Sequence, residues 1–149
     1  IPYEMGLVKS RYVGRTFIEP TPTLREQGVK LKLSAVRGVV EGKRVALVDD
    51  SFVRGTTGRR IIGLLKEAGA KEVHMLIGSP PIKFPCFYGI DLLSTSELIA
   101  ANHDVEEMRQ IIGADSLHFI SEEGMRMVLG SGLCLSCFTG NYPTAVPKA

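Results

Sequence analysis

Four consecutive apolar residues, Val45, Ala46, Leu47 and Val48, stop abruptly at Asp49 and Asp50. A run that short and unbroken predicts a strand buried on both faces of a parallel sheet. Beyond a loop through Gly58, Ile61, Ile62, Leu64, Leu65 and Ala68 recur at helical spacing across Arg59 to Ala68, and Gly69 is placed to end the helix. Glu72 to Ile77 then reads as a second strand. Strand, loop, helix and strand within about thirty residues make a βαβ unit, whose two strands should run parallel with a right-handed crossover.

The same layered plan continues downstream. Ser94 with Glu97 gives a capping-box pattern for a helix through Ala101, Asp104 with Glu107 gives another for Val105 to Ile112, and Leu117 to Ile120 reads as a short strand. Upstream, Lys9, Arg11, Arg15, Arg25, Lys30, Lys32 and Arg37 alternate with Gly, Pro and Thr without a sustained period. A flexible basic loop over residues 6–41 is expected there, followed by an α/β core over 43–130 and an irregular, Cys-containing tail over 131–149. Met5, Met75, Met108, Met125 and Met127 are expected to fill the core. His74 and His118 fall in strand-like runs and His103 beside a helix cap, positions that carry no catalytic assignment.

Composition narrows the class. With 149 residues, 44% hydrophobic and 23% charged, the chain can bury one substantial core and has no signature of disorder. The net charge is only +2 and the two signs are interspersed, so neither a nucleic acid nor an anionic membrane surface is the expected partner. No apolar run approaches the roughly twenty residues that span a bilayer, and Ile1-Pro2-Tyr3-Glu4 is no leader, so a cytoplasmic protein is expected. An odd count of three cysteines, Cys86, Cys134 and Cys137, argues against a disulfide framework and leaves a metal or redox role open. Opening on Ile1, directly in strand-like residues, the chain is expected to have been cut from a larger polypeptide.

The candidate chemistry lies at the end of the first strand. Asp49 and Asp50 stand at its carboxyl edge, and Ser51-Phe52-Val53-Arg54-Gly55-Thr56-Thr57 turns into the helix. Open α/β sheets bind ligands beyond the carboxyl ends of their strands, where a helix start offers unpaired amides and a positive dipole end to a phosphate. Gly55 allows close backbone approach, Thr56 and Thr57 add hydroxyl donors, and the two acids can accept sugar hydroxyls or help hold a hard cation such as Mg²⁺. An isolated Asp pair more often does no more than end a strand, but thirteen residues in this order are far more specific.

That string resembles the phosphoribosyl-diphosphate signature of the type I phosphoribosyltransferases: four hydrophobic residues, two acids and a Gly-Thr-Thr loop. The flanks Gly6 to Ile18, Leu33 to Lys43, Ser79 to Asp91 and Ile111 to Asp115 resemble the glutamine amidophosphoribosyltransferases in particular, and the likeness covers nearly the whole chain. It implies the C-terminal phosphoribosyltransferase domain of that family: a parallel sheet flanked by helices, truncated on its N-terminal side and lacking the glutaminase domain. The implied reaction transfers ammonia, drawn from glutamine in the intact enzyme, to C1 of phosphoribosyl diphosphate. Phosphoribosylamine and diphosphate result, which is the first committed step of purine synthesis. On this resemblance Asp49 and Asp50 contact the ribose hydroxyls and the Mg²⁺ complex, Ser51 through Thr57 cradle the 5′-phosphate, and Lys9, Arg11, Tyr12 and Arg15 belong to a loop closing over the diphosphate. Inhibitory purine nucleotides and a homo-oligomer are implied as well.

Cys134-Leu135-Ser136-Cys137 puts two thiols in one turn, and Cys86 lies in a Pro-rich loop that could bring a third. Read alone, they are equally a buried small residue and a reduced pair or adventitious zinc site. The family resemblance implies instead a 4Fe-4S cluster held by Cys86, Cys134 and Cys137, with the fourth ligand upstream of this chain, and an unstable or absent cluster in the fragment. Two other classes share the phosphate signature: a non-catalytic sensor of phosphoribosyl diphosphate or purine nucleotides, and a salvage phosphoribosyltransferase acting on a nucleobase.

Overall fold

The computed structural model describes residues 1–9, 33–90 and 94–146. Its centre is a three-stranded parallel sheet, ordered β3 (Arg44–Asp49), β4 (Glu72–Ile77), β5 (Ser116–Phe119). Leu47 lies opposite Met75, and Met75 opposite Leu117, so alternate residues of all three strands share a face. On one face Val73 and Met75 are fully buried, with Ile77 and Leu117 nearly so. They meet Ile61, Ile62 and Leu65 of helix α2 (Thr56–Glu67) and Met108 and Ile112 of α4 (Val105–Ile112), whose apolar stripes form the helix layer.

The opposite face is different, and it corrects the expectation of a strand buried on both sides. Arg44, Ala46 and Val48 of β3 are exposed, Val48 by 71%. The apolar run 45–48 is equally compatible with a strand whose second face is open, and β3 also pairs only with β4 among the described residues. On this face a polar ladder crosses the sheet: Arg44 Nε donates to Glu72 Oε2 at 2.6 Å, and the His74 ring bridges Glu72 (3.0 Å) and Ser116 Oγ (2.9 Å).

The boundaries of residues 6–41 are more regular than composition suggests. β1 (Leu7–Lys9) pairs antiparallel with β2 (Leu33–Ala35), and a single helical turn, α1 (Arg37–Val40), leads into β3. Leu7, Leu33 and Ala35 pack against the main core and Val40 is buried in it, which orders the two arms of the segment. Residues 10–32, including Arg11, Tyr12 and Arg15, lie outside the described residues.

Downstream, Asp104 and Glu107 form the expected capping box: Asp104 Oδ1 accepts from the Glu107 amide at 2.8 Å and Glu107 Oε2 from the Asp104 amide at 2.9 Å. Ser94 and Glu97 do not. The Ser94 hydroxyl bonds Ser96, the chain makes one 3₁₀ turn over Thr95–Glu97, and a second short helix, α3, restarts at Ile99–Asn102. Leu98 explains the break, since it is wholly buried and takes an extended conformation at the junction. After α5 (Glu122–Leu129), the tail is not wholly irregular either, because Ser136–Thr139 form helix α6 and Tyr142 Oη donates to the Pro85 carbonyl at 2.8 Å. Met75 and Met108 are core residues as expected, whereas Met5 and Met127 are largely exposed.

A candidate phosphate site at the carboxyl edge of the sheet

The βαβ connection places the acids and the turn where the sequence pattern requires. Asp49 is the last residue of β3 and its carbonyl accepts from the Gly78 amide just past β4 (2.9 Å), so both strands end level with the turn. Asp50 follows outside the strand, exposed, with its amide donating to Asp49 Oδ1 (3.0 Å) and its Oδ1 accepting from the Ser51 hydroxyl (3.0 Å). Partial burial pushes the Asp49 carboxyl above its ordinary range; the Asp50 amide opposes this and the Asp50 charge adds to it. A cation bound here would reverse that cost, which is how an oxygen-rich pair of acids accommodates Mg²⁺.

The turn is built around two buried points. Phe52 is nearly inaccessible, packs edge-on to Phe119 at a centroid distance of 6.1 Å, and anchors the turn to β5. Gly55 caps α2 in the left-handed conformation (φ 73°), where a side chain would be strained and its Cβ would come within 3.0 Å of Ile99 Cδ1. Gly58 is equally constrained, because a Cβ there would stand 2.9 Å from the Phe52 ring. Between these points Ser51, Arg54 and Thr56 are exposed and Thr57 partly so. No side chain caps the start of α2, a twelve-residue helix, which leaves the amides of its first turn to solvent or a ligand. The turn therefore leaves Ser51, Arg54 and Thr56 accessible beside helix amides that no side chain caps.

Sequence reasoning overlooked what fastens this turn. Arg54 Nη2 donates to Glu97 Oε2 at 2.8 Å and the Ile99 amide donates to the Val53 carbonyl at 2.9 Å, both from the break between the 3₁₀ turn and α3. Glu97 was legible only as a capping residue, since nothing local links positions 54 and 97. Of the residues assigned to the diphosphate loop, Lys9 is an exposed residue of β1; the other three lie outside the described residues.

Two of the three cysteines share a small core with the turn. Cys86 and Cys137 pack against a small second core of Ile82 and Leu98, which Val53 of the turn also joins. Amides of Tyr88 and Ile90 draw the Cys86 thiol below its ordinary pKa, and the Ser136 amide does the same for Cys134, whereas burial raises Cys137. Among the described residues no three His, Cys, Asp or Glu side chains converge tightly enough for a single metal ion. Backbone amides thus ease Cys86 and Cys134, but not Cys137, toward the thiolate form that a metal or cluster ligand takes.

A parallel α/β sheet with paired acids and an open helix start beyond its carboxyl edge is the arrangement of a phosphoribosyltransferase domain. The chain is 64% identical over 98% of its length to the amidophosphoribosyltransferase of Bacillus subtilis and 58% identical over 99% to that of Archaeoglobus fulgidus. It matches the solved structure of the B. subtilis glutamine phosphoribosylpyrophosphate amidotransferase complexed with ADP and GMP with a TM-score of 0.85 and 62% identity, covering 99% of this chain and 34% of that one. A structure described as the allosteric regulatory enzyme of purine biosynthesis matches with the same TM-score of 0.85 and 62% identity, over 99% of this chain and 33% of that one. No family model matches. By sequence and fold the chain belongs with a segment of the amidophosphoribosyltransferases, and it spans about a third of the length of the curated relatives it matches.

Proposed function

We propose that this chain forms the phosphoribosyl-diphosphate site of an amidophosphoribosyltransferase. The observation that carries the proposal is the turn from Ser51 to Thr57, which leaves Ser51, Arg54 and Thr56 exposed between the acids at the end of β3 and a helix start that no side chain caps. In this reading the turn and helix amides hold the 5′-phosphate, while Asp49 and Asp50 orient the ribose hydroxyls and hold Mg²⁺ through its water shell. Ammonia then displaces diphosphate at C1, giving phosphoribosylamine. No side chain need act as nucleophile, since fixed geometry and charge stabilisation suffice for a highly charged leaving group. Lys9, Arg11 and Arg15 supply that charge from the basic segment, and the Tyr12 hydroxyl adds a hydrogen-bond donor. Mg²⁺ adds neutralisation of the departing diphosphate when bound.

Cys86, Cys134 and Cys137 would hold an iron–sulfur cluster as a structural group, with one ligand from outside this chain. Purine nucleotides are proposed as inhibitors, because a structural relative was solved with ADP and GMP. We also propose a homo-oligomer located in the cytoplasm; among the described residues no helix is long and apolar enough to cross a membrane. Titrating the protein with Mg²⁺ and phosphoribosyl diphosphate, while following backbone amide resonances of Arg54 to Thr57, tests the central claim. Saturable shifts confined to the turn and to Asp49 and Asp50 are expected; binding that leaves these amides unmoved would refute it. Asp49→Asn in the full-length enzyme should cut turnover by more than about tenfold if the carboxylate holds substrate or Mg²⁺.

A further inference from the structure

We infer that Glu97 is a positioning residue for the phosphate turn, a deepening of the reading above that rests on it. The turn has few internal hydrogen bonds, so its shape must be set from outside. Besides the Phe52 anchor on Phe119, three ties do this, all from residues 97–99. Glu97 holds the Arg54 guanidinium at 2.8 Å, the Ile99 amide holds the Val53 carbonyl at 2.9 Å, and the Ile99 side chain closes against Gly55. Between them Leu98 is wholly buried, in the second core that Val53 also enters. Leu98 is thus an immobile pivot from which Glu97 and Ile99 reach the turn on either side.

The consequence is electrostatic as well as geometric. With its guanidinium committed to Glu97, Arg54 holds the backbone between Val53 and Gly55 in one setting, and the amides beyond it stay aimed at one point in space. Glu97 touches neither the acids nor the bend's amides and acts only through Arg54. Both partners are about half exposed, so the pair's effect should be modest, roughly a fivefold change in affinity. A 5′-phosphate does not react and is held alike in ground and transition states, so the change should fall on KM and not on kcat.

The experiment compares wild type, Glu97→Ala and Glu97→Gln in the full-length polypeptide that carries this chain. Three probes are titrated: phosphoribosyl diphosphate, ribose 5-phosphate and inorganic diphosphate, each with Mg²⁺. Glu97→Ala should weaken the two 5′-phosphorylated ligands about fivefold and raise KM by the same factor, with kcat within about twofold and diphosphate binding unchanged. Glu97→Gln, which keeps an acceptor for Arg54, should fall between Ala and wild type. An Ala variant that binds like wild type overturns the assignment, as does equal weakening of inorganic diphosphate, which would mark general damage. Tighter ribose 5-phosphate binding would show Glu97 masking Arg54 and overturn it too. If wild type itself fails to bind ribose 5-phosphate, the phosphate-site reading falls and takes this one with it.

Discussion

The two faces of the sheet obey different rules. On the covered face Val73, Met75, Ile77 and Leu117 meet the helices, and every substitution is a packing event. On the other, Arg44, Ala46 and Val48 are exposed and a hydrogen-bonded ladder of Arg44, Glu72, His74 and Ser116 does what packing does elsewhere. The turn after β3 grows from the covered side: Phe52 is locked into the core and Gly55 is buried against Ile99, while Ser51, Arg54 and Thr56 are exposed. A parallel sheet is ordinarily buried on both sides, whereas among the described residues this one has one covered face and one exposed face.

Substitutions sharpen the contrast in order of size. Leu65→Ala, at a fully packed position of α2, should lower stability by about 3 kcal/mol in urea titration, whereas Val48→Ala on the open face should change it by less than about 0.5 kcal/mol. Equal effects would erase the distinction. Gly58→Val, forced against the Phe52 ring, should cost about 2 kcal/mol and also weaken ribose 5-phosphate binding, since the ring anchors the turn. Asp104→Ala removes one half of a capping box and should cost about 1 kcal/mol without touching ligand affinity. The smallest effect is a pH dependence. The Val73 amide, donating to Asp115 Oδ2 at 2.7 Å, and the neighbouring Lys66 hold the Asp115 carboxyl below its ordinary pKa. That contribution is complete above the ordinary Asp pKa near 3.8 and is lost as pH falls through the depressed value. Asp115→Asn should therefore flatten the acid limb of the stability profile; an unchanged limb would remove Asp115 from it.

Much of this was legible in the sequence because it is local. The period of Ile61, Ile62 and Leu65, the Asp104 and Glu107 box, and the acids at the end of β3 are each set by neighbours within a few residues. What was missed depends on distant pairs. Whether β3 is central or at an edge is not encoded in four apolar residues, and the pairing of Arg54 with Glu97 spans 43 positions. Ser94 carried the right local signal and lost to the burial of Leu98. That Cys86 and Cys137 share a small core with Val53 of the turn likewise needed the fold.

The open face also has a direction. Its ladder of Arg44, Glu72, His74 and Ser116 occupies the end where the strands begin, while Val48 and Leu76 occupy the end nearer the acids. That second end is not purely apolar, because exposed His118 stands opposite Leu76 on the same face. The ionic contacts are thus concentrated where the strands begin: removing the Glu72 carboxylate would unpair Arg44 and His74 together, whereas Val48 has no such partner to lose.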